Sequence, residues 1–131
     1  MRVRLTLCGV LMVCLCFASM VSAQDAVKVD PQHYSVVSEN NEVRILKVHY
    51  GPHEKSVMHS HPDTVAVFLN DSKGQFAYPD GKTQEFVTKA GEAQYEAATI
   101  HLPENTGDSA LDVIVVELKG HSAKPHKAKQ D

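Results

Sequence analysis

The hydrophobic positions of this chain follow a two-residue period through most of its segments after residue 34. Residues 43–50 show it best, because Leu46, Val48 and Tyr50 fall on one face of an extended strand. A period of two is typical of a half-buried β-strand. Residues 64–69 are continuously apolar, which is typical of a fully buried strand. After residue 23, no segment carries a convincing helical period.

Short clusters of glycine, proline, asparagine and aspartate separate the predicted strands. The clearest cluster, Pro79-Asp80-Gly81-Lys82, joins two predicted strands at residues 75–78 and 83–87. It predicts a hairpin turn with a positive φ angle at Gly81. Short strands that recur at this regular spacing predict an all-β fold, a sandwich or a barrel.

The first residues of the chain differ in character from the rest. A basic start, an apolar run at residues 5–17 and small residues at 21–23 predict a secretory signal peptide over residues 1–23. The apolar run is shorter than the roughly 20 residues that a membrane-spanning helix needs. We therefore expect an exported protein, periplasmic or secreted after cleavage near Ala23, without a stable membrane anchor.

The remaining chain divides into three parts by composition. Residues 24–33 are polar and turn-rich, and they predict a flexible leader. Residues 34–119 contain the predicted strands and form one domain of ordinary size. Residues 120–131 are rich in lysine and predict a disordered basic tail.

Charge and cysteine content exclude several classes of function. The formal net charge of the chain is −3, and the predicted signal peptide takes away two basic residues and no acidic ones. An acidic domain argues against a nucleic-acid partner. All three cysteines also lie in residues 1–23, so the rest of the chain has no disulfide and no thiol nucleophile. All eight histidines remain.

Two of these histidines, His59 and His61, are one residue apart in a short segment with strand character. Side chains at positions i and i+2 of a strand share a face, about 6.5–7 Å apart. Neutral imidazoles bind divalent metals, and two on one face need a third ligand from another strand. His101, in a second extended segment, is the candidate for that third ligand.

Two motifs carry a resemblance to a known family, one from Gly51 to Gly74 around the paired histidines and one from Gly91 to Asn105 around His101. Glycine-flanked histidines in this order resemble the two motifs of a small single-domain cupin. The whole pattern is similar to a group of small bacterial cupins without an established reaction. The resemblance implies an antiparallel jelly-roll β-barrel over residues 34–119. It also implies a divalent metal ion bound by three ligands: His59, His61 and His101.

The chain departs from the cupin pattern at two places. Many cupins have a glutamate four or five residues after the paired histidines, where this chain has Val65 and Ala66. The proline usual before the second motif's histidine is also absent, and Glu96-Ala97-Ala98 stands there. A site of three histidines remains, as in the thiol dioxygenases of the same family. Zn, Fe, Ni, Cu and Mn all stay open as the metal.

The sequence leaves two classes of function open. In the first, the chain is an enzyme whose metal activates water or dioxygen against a small organic substrate, with Glu96 or Tyr95 as the proton-transfer group. In the second, it is a binding or sensing barrel for a small molecule, with or without metal. For Glu96 a surface strand position is the better expectation, and for His53 a solvated loop. A homodimer also stays open.

Overall fold

The structure, a computed structural model, describes residues 24–120. The predicted signal peptide and all but the first residue of the predicted tail lie outside the described residues. Within these residues, one short helix precedes nine strands, in this order: α1 (Ala26–Val29), β1 (Tyr34–Glu39), β2 (Val43–Tyr50), β3 (His59–His61), β4 (Thr64–Phe68), β5 (Ser72–Ala77), β6 (Thr83–Thr88), β7 (Ala93–Glu96), β8 (Thr99–Asn105) and β9 (Leu111–Leu118).

The nine strands form two antiparallel sheets. The larger sheet has the strand order β1-β2-β9-β4-β7, and the smaller has the order β3-β8-β5-β6. Strand β9 is the last of the nine in the chain and lies in the middle of the larger sheet, paired with β2 and β4. The predicted all-β jelly-roll barrel is confirmed.

The core lies between the two sheets and follows the predicted period of two. Leu46, Val48 and Tyr50 of β2 are at most 3% exposed, whereas the residues between them face outward. Strand β4 was expected to be buried on both faces, but its residues alternate between buried and half-buried. Leu69, just beyond β4, is 50% exposed, because β4 turns only one face to the core.

The segment predicted as a flexible leader is instead docked on the barrel. Asp25 caps the N-terminus of α1 by accepting hydrogen bonds from the next turn, and Ala26 is fully buried. Asp30 and His33 are also buried and form a hydrogen-bonded pair. The sequence-based expectation missed the contacts that two aspartates make with the barrel. Within residues 24–120, no helix has the length and apolar character to cross a membrane.

The turn between β5 and β6 has the predicted conformation, and it gives a first test. Gly81 has a φ of 83°, and its N–H donates to the carbonyl of Tyr78. A side chain is disfavoured there by backbone conformation, at about 1–2 kcal/mol, since nothing crowds the position. We expect Gly81→Val to lower the free energy of unfolding by about that amount in urea denaturation. Gly81→Asn should cost less, because asparagine tolerates positive φ, and equal losses would contradict the assignment.

Candidate metal centre

Strand register brings the three predicted histidines together. His59 and His61 are both buried at the two ends of β3, with Ser60 between them facing the other way. Strand β3 pairs with β8 so that His59 lies directly opposite His101. One ring nitrogen from each of the three imidazoles lies within 4.8 Å of the other two. The structure therefore brings together all three residues that the sequence predicted for the site.

The three rings meet edge to face. The Nε2 atoms of His59 and His61 are 3.1 Å apart. The ring of His101 lies 5.2 Å from that of His59 and 5.5 Å from that of His61, nearly perpendicular to both. Phe76 stacks on the far side of His101 at 4.8 Å and fixes the plane of its ring.

The outer nitrogens of the paired histidines each face a hydrogen-bond acceptor. His61 Nδ1 lies 2.6 Å from Glu117 Oε1, and His59 Nδ1 lies 2.8 Å from the carbonyl oxygen of Val57. A carbonyl oxygen only accepts, and so does an ionised carboxylate. Each Nδ1 therefore carries the proton and donates, which leaves the Nε2 of each neutral ring as a bare lone pair.

Burial keeps two of these imidazoles neutral. Burial, together with the neighbouring His61, lowers the pKa of His59 to about 4. Burial, together with His61 and His59, lowers the pKa of His101 to about 3. A charged imidazole is costly in this place because water is excluded and two other rings are close.

The donor set therefore fits a cation. Two Nε2 lone pairs face each other at 3.1 Å with no proton between them when both rings are neutral. The Nε2 of His101 is buried and has no hydrogen-bond partner in the described part of the chain. Buried polar atoms without a partner are rare and call for an explanation, and a bound ion is one. A metal accepts electron pairs from all three nitrogens at once.

A buried charge chain supports His61 from outside the site. Glu117, 2% exposed, accepts from His61 through Oε1 and from Arg44 Nε through Oε2, at 2.5 Å. Arg44 also donates to Asp25 Oδ2 at 2.5 Å. Burial alone would raise the pKa of Glu117, but the hydrogen bonds from His61 and Arg44 hold it below its usual value. Glu117 is therefore an ionised carboxylate, and it accepts a hydrogen bond from the N–H of His61.

The sequence analysis did not single out Glu117 or Arg44. The pattern did contain a signal for Glu117, because Leu111, Val113 and Glu117 share the inward face of β9. A carboxylate at an inward position of an apolar strand needs a buried partner. The partners come from other strands of the barrel, and the sequence alone does not pair them.

A small cavity adjoins the histidine cluster inside the barrel. Its volume is about 60 Å³, room for a few water molecules or a ligand of a few heavy atoms. His61 and His101 line one side, and the other walls are mostly apolar: Tyr34, Val48, Tyr50, Thr64, Ala66, Phe68, Phe76, Phe86, Pro103, Leu111, Val113 and Val115.

Two carboxylates also line this cavity. Glu104 accepts a hydrogen bond from the side chain of Gln75. Glu96 has no hydrogen-bond partner within residues 24–120, and its pKa is raised by burial, against an opposing effect of His61. The sequence analysis preferred a surface position for Glu96, and its place in the cavity wall corrects this. Tyr95, the other proton-transfer candidate, is 61% exposed and does not line the cavity.

The remaining histidines lie away from the cluster. His53 is an exposed loop residue, as expected, and it pairs with Asp108 at 2.8 Å. His49 is exposed and pairs with Asp112. His33 stacks on Tyr50 and binds Asp30 with its Nδ1. His121 and His126 lie outside the described residues.

Comparison with solved structures identifies the architecture around this site. A cupin domain from Bordetella pertussis Tohama I has a TM-score of 0.61 to this chain at 19% sequence identity. The match covers 66% of this chain and 91% of that chain. This chain has the cupin fold.

Two further structures agree with the cupin assignment. An uncharacterised conserved protein with a double-stranded β-helix domain from Klebsiella pneumoniae has a TM-score of 0.53 at 22% identity, over 66% of this chain and 76% of its own. An RmlC-like cupin family protein from Methanocaldococcus jannaschii has a TM-score of 0.53 at 14% identity, over 66% and 78%. No family model and no curated protein matches the sequence. The shared property is the cupin barrel itself.

The depressed pKa values of His59 and His101 give a test of the cluster without metal. Both rings take up protons near pH 6.5 when the chain is unfolded, but only near pH 4 and 3 when it is folded. The unfolded chain therefore binds more protons in this window, so stability falls as pH drops from about 6.5 toward 4. The loss should reach a few kcal/mol, at about 1.4 kcal/mol per pKa unit.

Urea denaturation of the chelator-treated protein between pH 7 and 5 measures this loss. The variant His101→Gln should show a smaller loss than the unmodified protein, since one of the two titrating groups is gone. The matched control His53→Gln changes an exposed histidine and should keep the full loss. A stability that does not vary with pH across this window would show that the cluster is not buried as described.

Proposed function

We propose that this cupin barrel binds one divalent metal ion through His59, His61 and His101. The observation that carries the proposal is the convergence of three buried imidazoles, each with an inward nitrogen that lacks a proton-donating partner. The outer nitrogens of His59 and His61 are held by acceptors, as is usual for histidines that bind metals.

The donor types narrow the choice of metal. Imidazole nitrogen suits zinc, copper, iron and nickel, whereas manganese favours oxygen ligands. Val65 and Ala66 supply no oxygen ligand, and both Glu117 oxygens are already bound, to His61 and Arg44. Manganese is therefore the least suited of the five metals. Three protein ligands also leave further positions open on the ion, as in catalytic rather than structural sites.

A small organic ligand fits the cavity beside the metal site. The cavity walls are mostly apolar, and the carboxyl of Glu96 is one of the polar groups among them. A few polar groups in an apolar cavity fix the orientation of a ligand. We propose that the barrel admits a molecule of a few heavy atoms, with one end toward His61 and His101 and a hydrogen-bond donor toward Glu96.

Catalysis is a second candidate function, and the state of Glu96 favours it. A bound divalent metal would supply Lewis-acid activation of water or of a ligand oxygen. Among the described residues that line the cavity, Glu96 is the carboxyl without a hydrogen-bond partner, and burial raises its pKa. A carboxyl with a raised pKa holds its proton more readily, which suits it to exchange a proton with a bound molecule. The alternative is a barrel that holds a ligand without turnover, and both uses share the same metal ligands.

Metal content is the direct test of the proposed site. The chain purified without a histidine tag should contain about one divalent metal ion per chain by elemental analysis. Replacement of any one of His59, His61 or His101 by alanine should reduce that metal content strongly, since each supplies one of the three protein ligands. Chelation should lower the melting temperature, because a ligand that binds only the folded state stabilises it.

The control for this test is His53→Ala, which removes an exposed histidine outside the cluster. It should leave both metal content and the effect of chelation unchanged. An unmodified chain that binds no zinc, copper, iron or nickel at micromolar concentrations would exclude the proposed function. The remaining candidate function would then be a barrel that binds a small molecule without metal.

The place of Glu96 in the cavity can be tested through stability. Burial of an ionised carboxyl is costly, so the neutral analogue Glu96→Gln should raise the urea midpoint of the metal-free chain at pH 8. The gain should shrink toward pH 4, where the glutamate itself becomes neutral. Glu85→Gln, at an exposed position of β6, is the control and should change little. A gain from Glu96→Gln that is no larger at pH 8 than at pH 4 would place Glu96 in solvent.

A further inference from the structure

Two hydrogen-bonded chains run from the N-terminal segment of the described chain to the histidine cluster. The first begins at Asp25, passes through Arg44 and Glu117, and ends on His61 Nδ1. Its three links measure 2.5, 2.5 and 2.6 Å. Arg44 thus lies between two carboxylates, and the chain as a whole carries one net negative charge behind the imidazole.

The second chain begins at Asp30 and ends on His59. Asp30 Oδ2 accepts from the hydroxyl of Ser56 at 2.5 Å, and the same hydroxyl oxygen lies 3.2 Å from His59 Nδ1. Because the Ser56 hydroxyl donates to Asp30, its oxygen presents a lone pair to the N–H of His59 and shares that N–H with the carbonyl of Val57. His33 Nδ1 lies 2.8 Å from both oxygens of Asp30 and fixes that carboxylate.

The same segment also contacts β3 between the two ligands. The N–H of Ser60 donates to the carbonyl of Gln24 at 2.8 Å, and Asp25 forms a parallel bridge with Ser60. Residues 24–30 therefore contact the backbone of β3 directly. They reach the outer nitrogen of His61 through Arg44 and Glu117, and that of His59 through Ser56. We call these residues the N-terminal strap.

We propose that the N-terminal strap positions the metal ligands, with Asp25 and Asp30 as positioning residues for His61 and His59. The proposal rests on the proposed metal site. An acceptor at the outer nitrogen fixes the tautomer and orientation of a ligand imidazole and raises its basicity. Without Asp25, Arg44 would turn its whole charge to Glu117, which would make Glu117 a weaker acceptor for His61. Without Asp30, the Ser56 hydroxyl would be free to rotate away from His59.

Cobalt binding tests this role, because the visible absorption of Co²⁺ reports the geometry and strength of its ligands. The full chain is stripped with a chelator and titrated with Co²⁺ alone, at a pH near 7.5. Direct outer partners of metal ligands are worth about 10- to 100-fold in affinity, and the strap residues act one or two bonds further out. We therefore expect Asp25→Asn and Asp30→Asn each to weaken Co²⁺ binding by about tenfold and to shift the absorption bands.

Matched variants separate positioning from general stability. Asp25→Glu keeps the carboxylate and should restore most of the affinity. Asp108→Asn removes an exposed carboxylate from a pair with His53, outside the cluster, and should leave affinity and spectrum unchanged. Where Asp25→Asn fails to fold, Arg44→Lys keeps the positive charge but replaces the two guanidinium nitrogens that contact Glu117 and Asp25 by a single one. It should show the same loss and shift.

Double-mutant cycles test whether the first hydrogen-bonded chain acts as a unit and whether the two hydrogen-bonded chains are independent. Asp25→Asn combined with Arg44→Lys should weaken Co²⁺ binding little more than one change alone, since both interrupt the same series of hydrogen bonds. Asp25→Asn combined with Asp30→Asn should give close to the product of the two losses, about a hundredfold, because the chains are separate.

Two results would overturn the proposal in distinguishable ways. An unmodified chain that takes up no Co²⁺ removes the proposed metal site, and the positioning role with it. An unmodified chain that binds Co²⁺ while both aspartate variants match it within twofold, with the same spectrum, leaves the metal site intact. That second result would show that the strap is only a structural attachment.

Discussion

The register between β3 and β8 is the constraint on which the site depends. His59 and His61 share a face because of the period of two, but the third histidine is forty residues later in the chain. It reaches them because antiparallel pairing places His101 directly opposite His59. A slip of one residue would turn His101 to the other face of the sheet. The four-stranded sheet fixes the register through the pairing of β8 with β5 as well.

The barrel also buries a charged group, the carboxylate of Glu117. Glu117 is almost fully buried in an otherwise apolar strand, and a lone carboxylate there would be costly. Arg44 on the neighbouring strand β2 and His61 across the barrel occupy both of its oxygens. The polar chain is continuous from the helix cap at Asp25 to the imidazole. Support for the site thus comes from the larger sheet, although the histidines themselves belong to the smaller one.

Much of this arrangement could be predicted from the sequence, because it follows from local rules. The alternation at residues 43–50, the turn at Gly81 and the shared face of His59 and His61 each depend on a few neighbouring residues. His101 was chosen because it lies in a second extended segment, and the motif resemblance implied the same residue. The three histidines do meet in the structure.

The remaining features depend on contacts between segments far apart in the chain. The pairs Asp25–Arg44 and Asp30–Ser56 form only when the barrel closes. From the sequence alone, residues 24–33 were therefore predicted to be a flexible leader. Glu96 lies at the end of β7, where a strand residue usually faces solvent, and the opposite wall of the barrel encloses it. Such pairings have no sequence period, and a single sequence does not reveal them.

The central position of β9 sets the order in which this chain can fold. The strand at the middle of the five-stranded sheet, β9, is the last of the nine described strands to be synthesised. Both β2 and β4 pair with it, so neither has this partner until β9 has been made. A barrel built on such distant pairings forms slowly compared with locally connected folds. The growing polypeptide on the ribosome therefore lacks the means to close its larger sheet. Until residues 111–118 have been made, β2 and β4 of that sheet have no strand between them.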